Sequence, residues 1–179
     1  MNTQEQLEPT LRRLSYWSLI VTIVISALSL IGWVFGLTIL TSIKQHYIPI
    51  APSTALCFLV VSISFLTYLF IPNTFFRTIA VCCSSLTMLI ASILLISFFT
   101  GIIIETEQLG LVQPLSSNLS HRGHMSPVTA GMFIVASLGI LLLCLSTRKK
   151  QLYKNAASFM GLSVSITGFI MILGQNFRQ

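Results

Sequence analysis

Polar and apolar positions in this chain alternate on the scale of whole helices, not of single turns. Residues 14 to 43, 45 to 76, 78 to 104, 123 to 147 and 155 to 177 contain no Asp, Glu, Lys or Arg, and Leu, Ile, Val and Phe dominate them. An α-helix needs about 20 apolar residues to cross a hydrocarbon core of about 30 Å, and every run is longer than that. In lipid each backbone N–H and C=O must be satisfied inside its own segment, so runs of this length are predicted to be helices. The expected fold is all-α: a polytopic membrane protein with five transmembrane helices over about residues 16–40, 52–71, 78–100, 127–146 and 156–174.

Residues 1–13 read as a short cytoplasmic tail and residues 14–179 as a single transmembrane domain. Arg12 and Arg13 precede the first run, but the run is too long for a signal-peptide core and no A-x-A site closes it, so it is predicted to stay as an anchor. Tyr16 and Trp17 fall where aromatic side chains settle at the water interface. Pro72 lacks an N–H and disfavours a helical residue before it, which ends the second helix by Ile71. A turn over residues 72 to 77 then returns the third helix antiparallel. The longest loop is expected over residues 101 to 126.

Composition adds an exclusion. Charged residues are 8% of 179 where a soluble domain carries about a quarter, so a soluble core is ruled out. The net charge of +6 raises nucleic acid as a partner, but no basic stripe interleaved with aromatics exists. The basic residues instead orient the chain. With the N-terminus inside, Arg12, Arg13, Arg77, Arg148, Lys149, Lys150 and Lys154 are cytoplasmic while Lys44, Arg122 and Arg178 are outside, seven against three. The C-terminus is then outside. Cys57, Cys82, Cys83 and Cys144 all lie in predicted helices, where they read as small thiols filling helix contacts and not as a disulfide framework.

The chain also resembles itself. Residues 50–58, Ile-Ala-Pro-Ser-Thr-Ala-Leu-Cys-Phe, align with residues 125–133, Met-Ser-Pro-Val-Thr-Ala-Gly-Met-Phe, at an offset of 75. Each follows a helix closing on aromatics and a glycine, Trp33-Val34-Phe35-Gly36 in one case and Phe98-Phe99-Thr100-Gly101 in the other. The predicted architecture is about two and a half helix-pair repeats, the fifth helix opening a third pair. Pro52, Thr54, Pro127 and Thr129 mark helix starts: proline is favoured at the first helical position, Ser126 is a good N-cap, and the threonines can bond first-turn backbone.

These residues, together with the Gly32-Trp33-Val34-Phe35-Gly36 end of the first helix, resemble the N-terminal multi-helix membrane regions of bacterial sensor histidine kinases and diguanylate cyclases. The resemblance covers most of the chain. It implies a sensory or input role in a bacterial inner membrane, with a cytoplasmic kinase or cyclase as the receiving partner. No output domain follows the helices before Gln179, so kinase or cyclase activity is not expected of this chain itself.

Candidate chemistry is sparse. His121 and His124 lie three residues apart in the outer loop with Glu105 and Glu107, a weak metal pattern opposed by Arg122 between the histidines. His46 is a lone loop histidine. No histidine lies within a predicted helix, so a haem between helices lacks its axial ligands, and no cofactor is expected. Transporter sites at the midplane usually carry ionisable residues. The helix centres here hold only Ser and Thr, which leaves an uncharged solute as the transport alternative. Gly32 and Gly36, and Gly161, Ser165 and Gly168, form small-residue faces that let helices approach closely. The functional expectation is a non-enzymatic input module in the bilayer, acting through a homo-oligomer or a membrane partner.

Overall fold

The computed structural model describes residues 3–35, 37, 51–70, 74–101, 125–145 and 151–176. They form five helices: α1 (Thr3–Val34), α2 (Pro52–Phe70), α3 (Thr74–Thr100), α4 (Pro127–Leu145) and α5 (Gln151–Asn176). Four contain segments long and apolar enough to cross a membrane, namely Arg12–Val34, Pro52–Leu69, Thr74–Thr100 and Pro127–Leu145, while α5 carries a shorter apolar stretch, Asn155–Ile170.

Several boundaries differ from the sequence expectation, among them the start of α5 at Gln151 and not near residue 156. The tail expected over residues 1–13 is helical from Thr3: Gln, Glu, Leu and Arg are good helix formers and the helix runs on through Pro9, whose missing N–H leaves the Glu5 carbonyl without its usual intrahelical donor. The first helix also ends at Val34 and not near residue 40. Leu37 N–H donates to the Gly32 carbonyl at 2.8 Å, the closing bond of a Schellman-type end, and this stops the helix although apolar residues continue. Such an end usually has glycine one residue before the closing donor; Gly36 itself lies outside the described residues. α3 starts at Thr74, not after Arg77, so the turn expected over residues 72 to 77 is partly helix. The Thr78 hydroxyl donates to the Thr74 carbonyl at 3.1 Å in that added turn. At the far end Gly101 adopts φ 68°, the left-handed conformation that closes helices at low steric cost.

α2 and α4 start as their prolines predict, and α2 stops at Phe70, ahead of Pro72. Pro52 and Pro127 occupy the first helical position, and each helix opens with the same bond, Ala55 N–H to the Ala51 carbonyl and Ala130 N–H to the Ser126 carbonyl, both 3.0 Å. Ser126 Oγ accepts from the Thr129 N–H at 3.1 Å and pairs with the Thr129 hydroxyl at 2.8 Å, a true N-cap. Ala51 holds the corresponding place before α2 and has no side-chain oxygen to offer. Ser126→Ala should therefore cost about 1 kcal/mol, read as a lower midpoint in detergent unfolding.

α2, α3 and α4 form the centre of the bundle; α1 packs on α2 and α5 packs on α4. Arg12 Nη2 donates to the Leu69 carbonyl at 3.2 Å, so the first part of α1 lies at the C-terminal end of α2. α3 begins at this end, four positions after Phe70, and α4 finishes at it, since Cys144 shares a cluster with Ala80. Arg12, Arg13 and Arg77 thus gather at one face of the bundle. Aromatic pairs flank the apolar length of α3: Phe75 and Phe76 meet edge to face at 5.6 Å near its start, Phe98 and Phe99 at 5.8 Å near its end.

Candidate functional site

Lipid tails are as apolar as leucine, so helices in a bilayer associate through close packing and interhelical hydrogen bonds, which small residues permit. The centre of this bundle follows that rule closely. On α3, Ala80, Ser84, Thr87 and Ala91 are all fully buried, spaced four, three and four apart along one stripe. On α4, Ala130, Phe133, Ser137, Ile140 and Cys144 form a buried stripe with spacings of three, four, three and four. The two run antiparallel: Ala91 clusters with Ala130 and Phe133 at one end, Ala80 with Ile140 and Cys144 at the other.

The polar heart of the contact is Ser64 on α2. Its hydroxyl lies 2.8 Å from the Ala80 carbonyl and 2.7 Å from the Ser84 hydroxyl, both on α3. One O–H bonds the carbonyl while the Ser84 hydroxyl donates to the same Ser64 oxygen, so each proton has an acceptor. Thr87 Oγ1 returns to the Cys83 carbonyl at 3.1 Å within α3. Removing Ser64 breaks the cross-helix pair, and such bonds in membrane proteins average about 0.6 kcal/mol by double-mutant cycle. Ser64→Ala and Ser84→Ala should show coupling of about that size. Additive losses would mean that the bond contributes nothing.

A second feature joins α2 to α4. Phe58 and Phe133 meet edge to face with centroids 4.8 Å apart and planes at 72°. The two residues are 75 positions apart, the same offset that relates Pro52 to Pro127, Thr54 to Thr129 and the buried Ser62 to Ser137.

The other residues singled out by sequence disperse. Thr129 sits on the N-cap; Thr54 is half-buried in the first turn of α2. Gly32 is buried on the face of α1 that also carries Ser26, Ser29 and Trp33. On α5, Gly168 faces α4, where a Cβ would meet Met132 Cε at 3.6 Å, whereas Gly161 is exposed with nothing within 4 Å and Ser165 is exposed too. His46, His121, His124, Glu105 and Glu107 lie outside the described residues. Among the described residues no group of three or more His, Cys, Asp or Glu could hold a metal ion. Cys57 and Cys144 are buried as small core residues, but Cys82 is exposed on α3.

Sequence reasoning missed Ser64, Ser84, Thr87 and Ser137. Part of the signal was present: small residues recur at 80, 84, 87 and 91, but Cys82, Cys83 and Ser85 between them blur the stripe. Comparison with protein-family models, with curated proteins and with solved structures finds no match for this chain.

Proposed function

We propose that this chain is a non-enzymatic input module of a bacterial inner membrane that passes changes in its helix packing to a partner. In this reading α5 is the fifth crossing, the N-terminus is cytoplasmic and the C-terminus outside. The helices make two and a half pairs, α1 with α2, α3 with α4, and α5 opening a third. The equal offset of 75 between the ends of α2 and α4, and the stacking of Phe58 on Phe133, support the duplication.

The observation that carries the proposal is α1. It runs unbroken for 32 residues, about 48 Å at 1.5 Å per residue, against a hydrocarbon core of about 30 Å. Its apolar span begins at Arg12, so residues 3–11 continue the same rod past the bundle at the face where Arg12, Arg13 and Arg77 gather. A displacement of α1 against α2 is delivered to that face, and Pro9, which has no N–H for the Glu5 carbonyl, is the point beyond it where the rod can bend. The partner expected there is a cytoplasmic kinase or cyclase, and the complex is expected to be a homo-oligomer or to include a membrane partner.

Single-cysteine labelling should find the connection holding Arg148 to Lys150 protected in right-side-out vesicles and residue 121 accessible, the pattern that the positive-inside bias demands. Affinity purification of the whole chain should retain a partner whose enzymatic rate changes severalfold when Arg12→Ala loosens α1 from α2. A chain that purifies alone, leaves every candidate kinase or cyclase unaffected and moves an uncharged solute across proteoliposomes would replace this proposal with transport.

A further inference from the structure

α5 repeats α3 in place as well as in kind. α3 begins at Thr74 and α5 at Gln151, 77 positions later, and the same 77 relates Arg77 to Lys154, each the fourth residue of its helix. The contact with the preceding helix repeats too. Ser64 of α2 touches the Ala80 carbonyl of α3; 75 positions on, the Cβ position of Gly139 in α4 lies 3.8 Å from the Ala157 carbonyl of α5, which is Ala80 plus 77. The difference between 75 and 77 is the longer connection, four positions from Phe70 to Thr74 against six from Leu145 to Gln151.

The stripe on which α4 rests is copied as well. Ala80, Ser84, Thr87 and Ala91 correspond to Ala157, Gly161, Val164 and Gly168, smaller or of similar bulk at every position. In α3 all four are fully covered because α2 lies on one side and α4 along the other. In α5 only the α4 side is filled. Ala157 is buried, yet Gly161 is exposed with open space where a Cβ would stand.

We infer that the stripe at Gly161 seats a transmembrane helix of the α2 and α4 type, contributed by a partner polypeptide and running antiparallel to α5 as α4 runs against α3. This rests on the assembly reading above and names the partner's chemistry: a helix opening on proline at the outer face, with small or aromatic residues along the stripe that meets α5. A lipid acyl chain cannot follow the step of a missing side chain as a packed helix does, and close packing is what drives association there.

The test uses the full chain in nanodiscs with a benzophenone amino acid in place of Leu162, which is exposed beside Gly161. The probe is a lysine-tagged synthetic peptide of residues 125–147, itself an α4 helix. The expected product is a chain–peptide adduct mapped to the peptide between Ser137 and Leu145, because Gly161 corresponds to Ser84, which lies toward the Ile140 and Cys144 end of α4. Gly161→Leu should cut its yield about tenfold. A Cβ at that position meets nothing within 4 Å and the site is exposed, so the fold is expected to tolerate the substitution, which an unchanged unfolding midpoint in SDS checks. Attachment between Pro127 and Phe133 would overturn the antiparallel seat, and equal yield with a scrambled peptide would overturn its specificity. A chain–chain adduct alone would give the seat to a second copy, refuting this inference while the assembly reading stands. No adduct at all refutes the inference, and the copurification described above then decides the assembly reading separately.

Discussion

Phe133→Ala should destabilise the bundle by about 3 kcal/mol, the largest single effect expected. Phe133 is nearly fully buried in the cluster of Cys57, Ala91 and Ala130 and stacks on Phe58. Truncating a buried Phe to Ala costs about 3–5 kcal/mol in water-soluble cores. The lower end applies here because lipid, unlike water, does not penalise an apolar side chain in the unfolded reference, which leaves the void and the lost dispersion contacts. Phe58→Ala should cost less, since Phe58 is 42% exposed and its outer side faces lipid in any state. The pair should couple by about 0.5–1.5 kcal/mol, the range for edge-to-face rings. SDS-titrated unfolding of the detergent-solubilised chain measures all three. Equal losses for the two single variants would show that the stack, not the cavity, dominates.

Ala91→Leu is expected to cost about 1–3 kcal/mol by overpacking the opposite wall of the same cluster. Ala91 is 0% exposed, with Cys57 and Ala130 in its cluster, and the added carbons have no room unless α3 and α4 separate. Bilayer insertion argues the other way, because Leu is favoured over Ala in lipid. Ser85→Leu separates the two effects: Ser85 is exposed on the same helix, so there the bulk should be neutral or favourable for insertion without strain. A stable Ala91→Leu protein with an unchanged midpoint would mean that the α3–α4 contact is looser than its burial indicates.

Some of this architecture was legible because its causes are local. Pro52 and Pro127 fix helix starts through a missing N–H and a locked φ, and the charge-free runs fix which segments are helices. The start of α1 was not legible from hydropathy, because Gln4, Glu5 and Glu8 are polar yet good helix formers, and an apolar window ends where they begin. Its end at Val34 goes with a backbone bond from Leu37 to Gly32, and the sequence signal for it was Gly36, the residue before that donor, which the apolar run through residue 40 masked. The hydroxyl contact escaped for a different reason. Ser64 and Ser84 each stand among other hydroxyls, Ser62 and Thr67 in one helix and Ser85 and Thr87 in the other, and only the relative rotation of α2 and α3 decides which of them become partners. Of the small-residue faces read from sequence, Gly32 and Gly168 pack within the chain and Gly161 does not, a division set by where α2 and α4 lie.

The small stripe through α3 has a further consequence, in entropy. Locking a buried Met, Gln or Lys side chain into one rotamer costs up to about 1.5–2 kcal/mol, whereas Ala and Gly have no rotamers to lose. On the α3 side, Ala80, Ser84, Thr87 and Ala91 therefore form, break and re-form their contact with little side-chain ordering to undo, and the rotamers that must be ordered are those of Phe133 and Ile140 on α4. On the α3 side, then, the two helices can shift against each other by a fraction of a turn without re-ordering long side chains, and the span of α1 from Arg12 to Val34 carries such small displacements as far as Pro9.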